Sequence, residues 1–153
     1  MTKKRKKPPI KLYTIGFTKK NAETFFTILE KNKIKIVIDI RRNNSSQLAI
    51  FSKSPDLSYF LENLSNIKYK HFINLAPPSD LLKKYRNKSI TWEQFEKKYV
   101  KNIKSNDDFN DFNYNLLKNA CLLCSEDKPD KCHRRLLAEL FRSNNKTINI
   151  IHL

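Results

Sequence analysis

The stretch LLCSEDKPDKCHRRLL, residues 122–137, holds two of the chain's three cysteines and one of its three histidines. Cys132 stands near a helix start beside basic residues, the setting that lowers a thiol pKa, so it is a candidate nucleophile or sulfur carrier. The unperturbed pKa of histidine lies near neutrality, so His133 is a candidate general acid or base. Glu126 adds a carboxylate. Arg134 and Arg135 fall in the first turn of the expected helix, where cations oppose the helix dipole. An acidic neighbour such as Glu126, or an anion bound on free N–H groups, would compensate them. Bland readings stand beside these: a buried, hydrogen-bonded His133, and an Arg134 paired with Glu126 without any ligand.

Zinc is a third option. Cys124, Cys132 and His133 are donors, with Glu126 or Cys121 as a fourth. The spacing C-x7-C-H matches no standard finger or ribbon. Cys121 and Cys124 lie an odd number of residues apart on a strand and face opposite ways, and neighbouring Cys132 and His133 diverge on a helix. No metal and no other cofactor is therefore expected.

These residues need elements to carry them. KLYTIG (11–16) is a β-branched and aromatic run ended by the chain's only glycine, a strand stopping at a turn. NAETFFTILEKN has a helical stripe and Asn21 as N-cap. IKIVIDI (34–40) is apolar up to Asp39, as in a strand covered on both faces. SPDLSYFLENL reads as a helix with Ser54 as cap and Pro55 first. KYKHFINL reads as a strand. TWEQFEKKYVKNI opens with the capping box Thr91–Gln94, and DDFNDFNYNLLKN repeats helical spacing. ACLLC is a buried strand, DKCHRRLLAELFR a helix capped by Asp130, and TINIIHL a last strand. Alternating strands and helices predict an α/β fold: a single domain over 11–153, with a mostly parallel sheet flanked by helices on both faces.

In such a sheet ligands bind beyond the carboxyl ends of the strands. Those ends deliver Gly16, Phe17 and Thr18, then Asp39, Arg41 and Arg42, then Cys124, Ser125 and Glu126, with the last helix adding Cys132 to Arg135. Gly16 either permits the turn or lets a ligand approach the backbone. Asp39 and Arg41 read as an ion pair across the strand end, from which Arg41 could still hold a phosphate or carboxylate by its fork.

The balance of 31 basic to 15 acidic residues gives +16, and the excess persists without the basic run Lys3–Lys7. Residues 1–10 read as a disordered basic arm. Such a charge is either a solvated lysine-rich surface or the footprint of a polyanion, DNA or RNA, bound through the arm and surface lysines. An odd number of cysteines without a secretory signal points to a reducing cytoplasm rather than a disulfide scaffold. No run approaches the ~18 apolar residues of a membrane span.

Four blocks resemble the DUF488 family of uncharacterised proteins: TIGFT, IDIRRNNSS, YKHFINLAP and, almost letter for letter, LLCSEDKPDKCHRRLLAEL. The last matches the signature LLCxExxPxxCHR. The resemblance spans nearly all of residues 12–143 and implies a compact α/β fold. It implies that Asp39, Arg41, Ser46, Cys124, Glu126, Cys132, His133 and Arg134 share one site, and suggests a link with nucleic acid or DNA repair. Departures are Phe17 for the family's His, Asn44 for Pro, Gln47 for Arg, and LAP for LGG.

The expected function is therefore action on, or binding of, nucleic acid or a phosphate-bearing nucleotide, including glycosylase-like hydrolysis. Glu126, Asp39 and His133 would handle protons, and Gly16, Thr18, Arg41, Ser46 and Arg134 would bind substrate. The alternatives are a non-catalytic DNA- or RNA-binding module and a thiol or sulfur-transfer enzyme using Cys132.

Overall fold

The computed structural model describes residues 7–45 and 50–153. Five strands form one all-parallel sheet: β1 (Ile10–Gly16), β2 (Ile36–Asp39), β3 (Lys68–His71), β4 (Ala120–Cys124) and β5 (Ile148–His152). Their spatial order is β3-β2-β4-β1-β5. Helices α1 (Ala22–Lys31) and α2 (Asp56–Tyr59) cover one face, and α3 (Ser79–Arg86), α4 (Trp92–Lys104), α5 (Asp107–Asn110) and α6 (His133–Asn144) the other. The α/β fold, the parallel sheet and the helices on both faces are as the sequence predicts.

Alternation along each strand builds two cores, because successive side chains point to opposite faces. Leu12, Ile36, Ile38, Ala120 and Leu122 join Phe95, Tyr99, Leu137 and Phe141 beneath α4 and α6. Tyr13, Ile15, Val37, Cys121 and Leu123 join Phe25 and Leu29 of α1 and Leu57 of α2. β4 runs between β1 and β2, so its residues are buried throughout.

Several local expectations are corrected. The α6 helix is capped by Cys132, not Asp130; Cys132 is extended (φ −137°, ψ 137°) and its side chain makes no cap bond. The second helix begins at Asp56, with Pro55 in the cap position in place of Ser54, and is continued by a π turn over Phe60–Leu64. The third strand ends at His71, and Ile73–Leu75 form a 3-10 turn. DDFNDFNYNLLKN is not one helix but the short α5 and a 3-10 turn, Tyr114–Leu117. Helix α3 was not foreseen. The expected arm lies mostly outside the described residues; Lys7–Pro9 are exposed, and Ile10 already belongs to β1.

Topology places a crevice. The chain leaves β1 for α1 on one face and leaves β4 for α6 on the other, although β1 and β4 are neighbours. Connections that part in this way open a gap at the carboxyl ends, where Gly16 and Cys124 stand in register.

Candidate functional site

A cleft of about 920 Å³ opens at that rim. The ends of β1, β2 and β4 form its floor, through Phe17 and Thr18, Arg41 and Arg42, and Cys124 to Glu126. Helix α3 and the start of α4 contribute Leu82, Tyr85, Arg86, Trp92 and Phe95 to its wall. Lys131, Cys132 and His133 enter from the start of α6. Thr18, Arg41, Glu126, Cys132 and His133 thus meet in one cleft. Gly16, Asp39 and Arg134 stand behind its lining, and Ser46 lies outside the described residues.

Asp39 and Arg41 form a closed ion pair. Arg41 Nε and Nη2 donate to the two carboxylate oxygens at 2.8 and 2.7 Å. Tyr69 Oη donates to Asp39 at 2.6 Å, and Arg41 Nη2 also donates to the Ser52 carbonyl. Burial works against the charge on Arg41, but Asp39 outweighs it and raises the pKa. Burial, then the charge of Asp39, pushes the Tyr69 hydroxyl up. Asp39 is wholly buried with both oxygens engaged, so it holds Arg41 rather than presenting a free base to the cleft. Asn44, where the family pattern has Pro, extends this network by donating to Tyr69 Oη and bonding His71.

Arg134 is turned inward. It is fully buried, and its guanidinium donates to the main-chain carbonyls of Glu126 and Asp127. The dipole conflict is met by these carbonyls, while Arg135 pairs with Glu139 at 3.0 Å. Arg134 therefore braces the loop after β4 and does not hold phosphate in the cleft. A Cβ on Gly16 would run into the Glu126 carbonyl and the Arg134 guanidinium, so glycine serves this contact rather than a ligand's approach. Thr18 ties its hydroxyl and its N–H to the Ser125 carbonyl.

Glu126 is exposed, and among the described residues its carboxylate makes no hydrogen bond or ion pair. Among the described residues it is the one carboxylate in the cleft lining. His133 Nε2 meets the Ile40 carbonyl at 2.9 Å, and Nδ1 lies 3.5 Å from Cys124 Sγ. Cys124, Cys132 and His133 bring their donor atoms within 4.8 Å of one another. Burial pushes the Cys124 thiol up, but hydrogen bonding from Cys132 and the neighbouring His133 outweigh it and carry its pKa well below the ordinary thiol range. Cys132 moves the other way, raised first by its hydrogen bond to Cys124 and then by burial. The lowered thiol pKa thus belongs to the Cys124–Cys132 pair.

The family model for Domain of unknown function DUF488 matches residues 21–141. The chain belongs to the DUF488 family. The match covers three of the four blocks read in the sequence and begins after TIGFT. No curated protein and no solved structure matches the chain. In this DUF488 protein the signature is a piece of architecture: Cys124 ends the central strand, Glu126 turns into the cleft, and Cys132-His133-Arg134 returns to meet them.

Sequence reasoning found α4 but missed α3, the other helix of the wall. Pro77-Pro78 followed by Ser79-Asp80 and the i, i+4 pair Leu81–Tyr85 was the available signal for α3. With it come Arg86 and Lys88, and Tyr85 packed against Trp92 at 5.6 Å.

Proposed function

We propose that the cleft takes the phosphate and base of a nucleic acid or nucleotide, and that Glu126 acts on the bound base in a hydrolytic, glycosylase-like reaction. The make-up of the cleft wall carries this reading: among the described residues, seven basic side chains and four aromatic ones surround a single carboxylate. Lys19 and Lys20 lean on Asp127 at 3.7 Å, and Arg41 is held by Asp39. Arg42 donates to the Ala76 and Pro77 carbonyls, whereas Arg86, Lys88 and Lys131 line the cleft with no ion-pair partner among the described residues. Unpaired cations beside aromatic faces suit a chain of phosphates and bases. The cations release counterions on binding, and each stacked base adds about 1–3 kcal/mol.

Half-buried Tyr85 and Trp92 offer the stacking surface at the cleft wall. A carboxylate beside a flipped base can activate water or steady an oxocarbenium-like sugar. The N-glycosidic bond then breaks, water adds its hydroxyl to the sugar carbon, and the remaining proton goes to the departing base.

Trp92 is the chain's only tryptophan, so its emission reports occupancy of the cleft. Single- and double-stranded DNA and RNA oligonucleotides are titrated at two salt concentrations. Quenching that weakens steeply with salt is expected; no quenching at low salt with any of them ends the reading. Release of damaged bases is then compared between wild type and Glu126→Gln. Loss of release with retained binding supports hydrolysis. Equal inertness with retained binding leaves a non-catalytic module, the second reading, which the same cleft wall favours.

A further inference from the structure

We propose that Cys124, Cys132 and His133 form a site for a thiophilic divalent ion of the zinc class. Spacing along the chain argues against this, because adjacent residues on a helix diverge. Cys132, however, is not on the helix. As an extended cap residue it sends its side chain back toward the end of β4 while His133 begins the helical turn.

The dimensions suit the ion. Zinc bonds of ~2.3 Å to sulfur and ~2.0–2.1 Å to nitrogen, at tetrahedral angles, separate the two donors by roughly 3.6 Å. Cys124 Sγ and His133 Nδ1 lie 3.5 Å apart. The Ile40 carbonyl can only accept, so His133 Nε2 carries a proton, and Nδ1 is the ring nitrogen that faces the sulfur and would give up any proton it holds to an incoming ion. A histidine ligand oriented by a main-chain carbonyl on its other nitrogen is the usual outer support of a metal site. Arg134 Nη1, 3.7 Å from Cys132 Sγ, supplies the matching support for a thiolate. Two thiolates and a neutral imidazole balance a doubly charged ion in a buried place.

Cys121 marks the difference between a ligand and a buried apolar thiol. It shares a strand face with Leu123, opposite to that of Cys124, and belongs to the cluster of Val37, Leu29 and Phe25. Cys124, Cys132 and His133 all line the cleft, so three protein donors leave the fourth position open to it. An open fourth position is the arrangement of catalytic rather than structural zinc, and the ion's chemistry there is activation of water. A Cys2His zinc with a nearby glutamate that is not a ligand is also the kit of zinc-dependent base deaminases, and Glu126 stands two residues beyond Cys124. That last comparison rests on the functional reading above; the metal site does not.

The test uses metal-free, full-length protein titrated with Co²⁺ under reducing, anaerobic conditions. Expected are saturation at one ion per chain, thiolate-to-cobalt charge transfer in the near ultraviolet, strong tetrahedral ligand-field bands, and displacement by Zn²⁺. Cys132→Ser and His133→Gln weaken binding by more than about tenfold; Cys121→Ser leaves it unchanged. Should the ligand variants fail to fold, the wild type still decides: Zn²⁺ must slow alkylation of Cys124 and Cys132, read by peptide mass. A wild-type cobalt spectrum without thiolate charge transfer, or alkylation indifferent to Zn²⁺, overturns the site whether or not the cleft binds nucleic acid.

Discussion

Arg134 reaches Glu126 through its main-chain carbonyl, not its carboxylate. One residue is thereby tethered at its backbone while its acidic group stays free in a basic cleft. Fold and chemistry are separable at this position. Glu126→Gln should change stability by no more than about 0.5 kcal/mol, as an exposed substitution does. Arg134→Leu should lose roughly 3 kcal/mol or more, because the half-buried loop after β4 loses two charged hydrogen bonds to its main-chain carbonyls. Urea unfolding of both variants checks the pair of outcomes.

Gly16→Ala should be destabilising out of proportion to one methyl group. The added carbon meets main-chain atoms of Glu126, which cannot swing aside as a flexible side chain would. A loss of roughly 1–3 kcal/mol is expected, with the loop after β4 displaced. Thermal melting shows the first effect and a shifted Trp92 emission the second.

Asp39→Asn should cost about 3–5 kcal/mol, since it leaves Arg41 buried without its counter-charge. Replacing both partners together should cost less than the sum of the single changes, and a double-mutant cycle measures the difference.

Tyr69 gives a pH dependence. Its folded pKa lies above the ordinary value of 10, chiefly through burial and then through Asp39. A group that binds its proton more tightly when folded contributes fully below the unfolded pKa and loses that contribution as pH rises beyond it. Stability should therefore fall above about pH 10. Tyr69→Phe should cost about 1–2 kcal/mol at neutral pH through the lost bond to Asp39 and make the alkaline fall shallower. An equally steep alkaline fall in the variant refutes the assignment.

Arg86→Glu combined with Lys88→Glu should weaken oligonucleotide binding and reduce the salt slope by roughly two ions. Trp92→Phe should keep most of the affinity, and Trp92→Ala should lose about 1–3 kcal/mol per stacked base. Fluorescence anisotropy with labelled oligonucleotides covers all of these, and an unchanged salt slope counts against phosphate binding in the cleft.

The strands were legible because apolar runs ending in Gly16, Asp39 and Cys124 carry their own stop signals. From them came the parallel sheet and the rim. What the sequence did not reveal was direction. Arg134 looks like an anion binder by type and helix position, yet burial turns it to carbonyls of its own loop. Cys132 and His133 look divergent until the cap geometry is known. The α3 wall escaped notice because its one apolar turn is short and surrounded by lysine. Side-chain heading depends on the backbone at single residues, which composition and period do not encode.

The strand order has a consequence for biogenesis. β1 pairs with β4 and β5, so this strand leaves the ribosome before both partners and has no neighbour until residues 120–124 have been made. Only β2 and β3 can join earlier. Nascent chains halted before Ala120 must therefore hold an unpaired, apolar β1, and native assembly waits on distant contacts that close late and slowly.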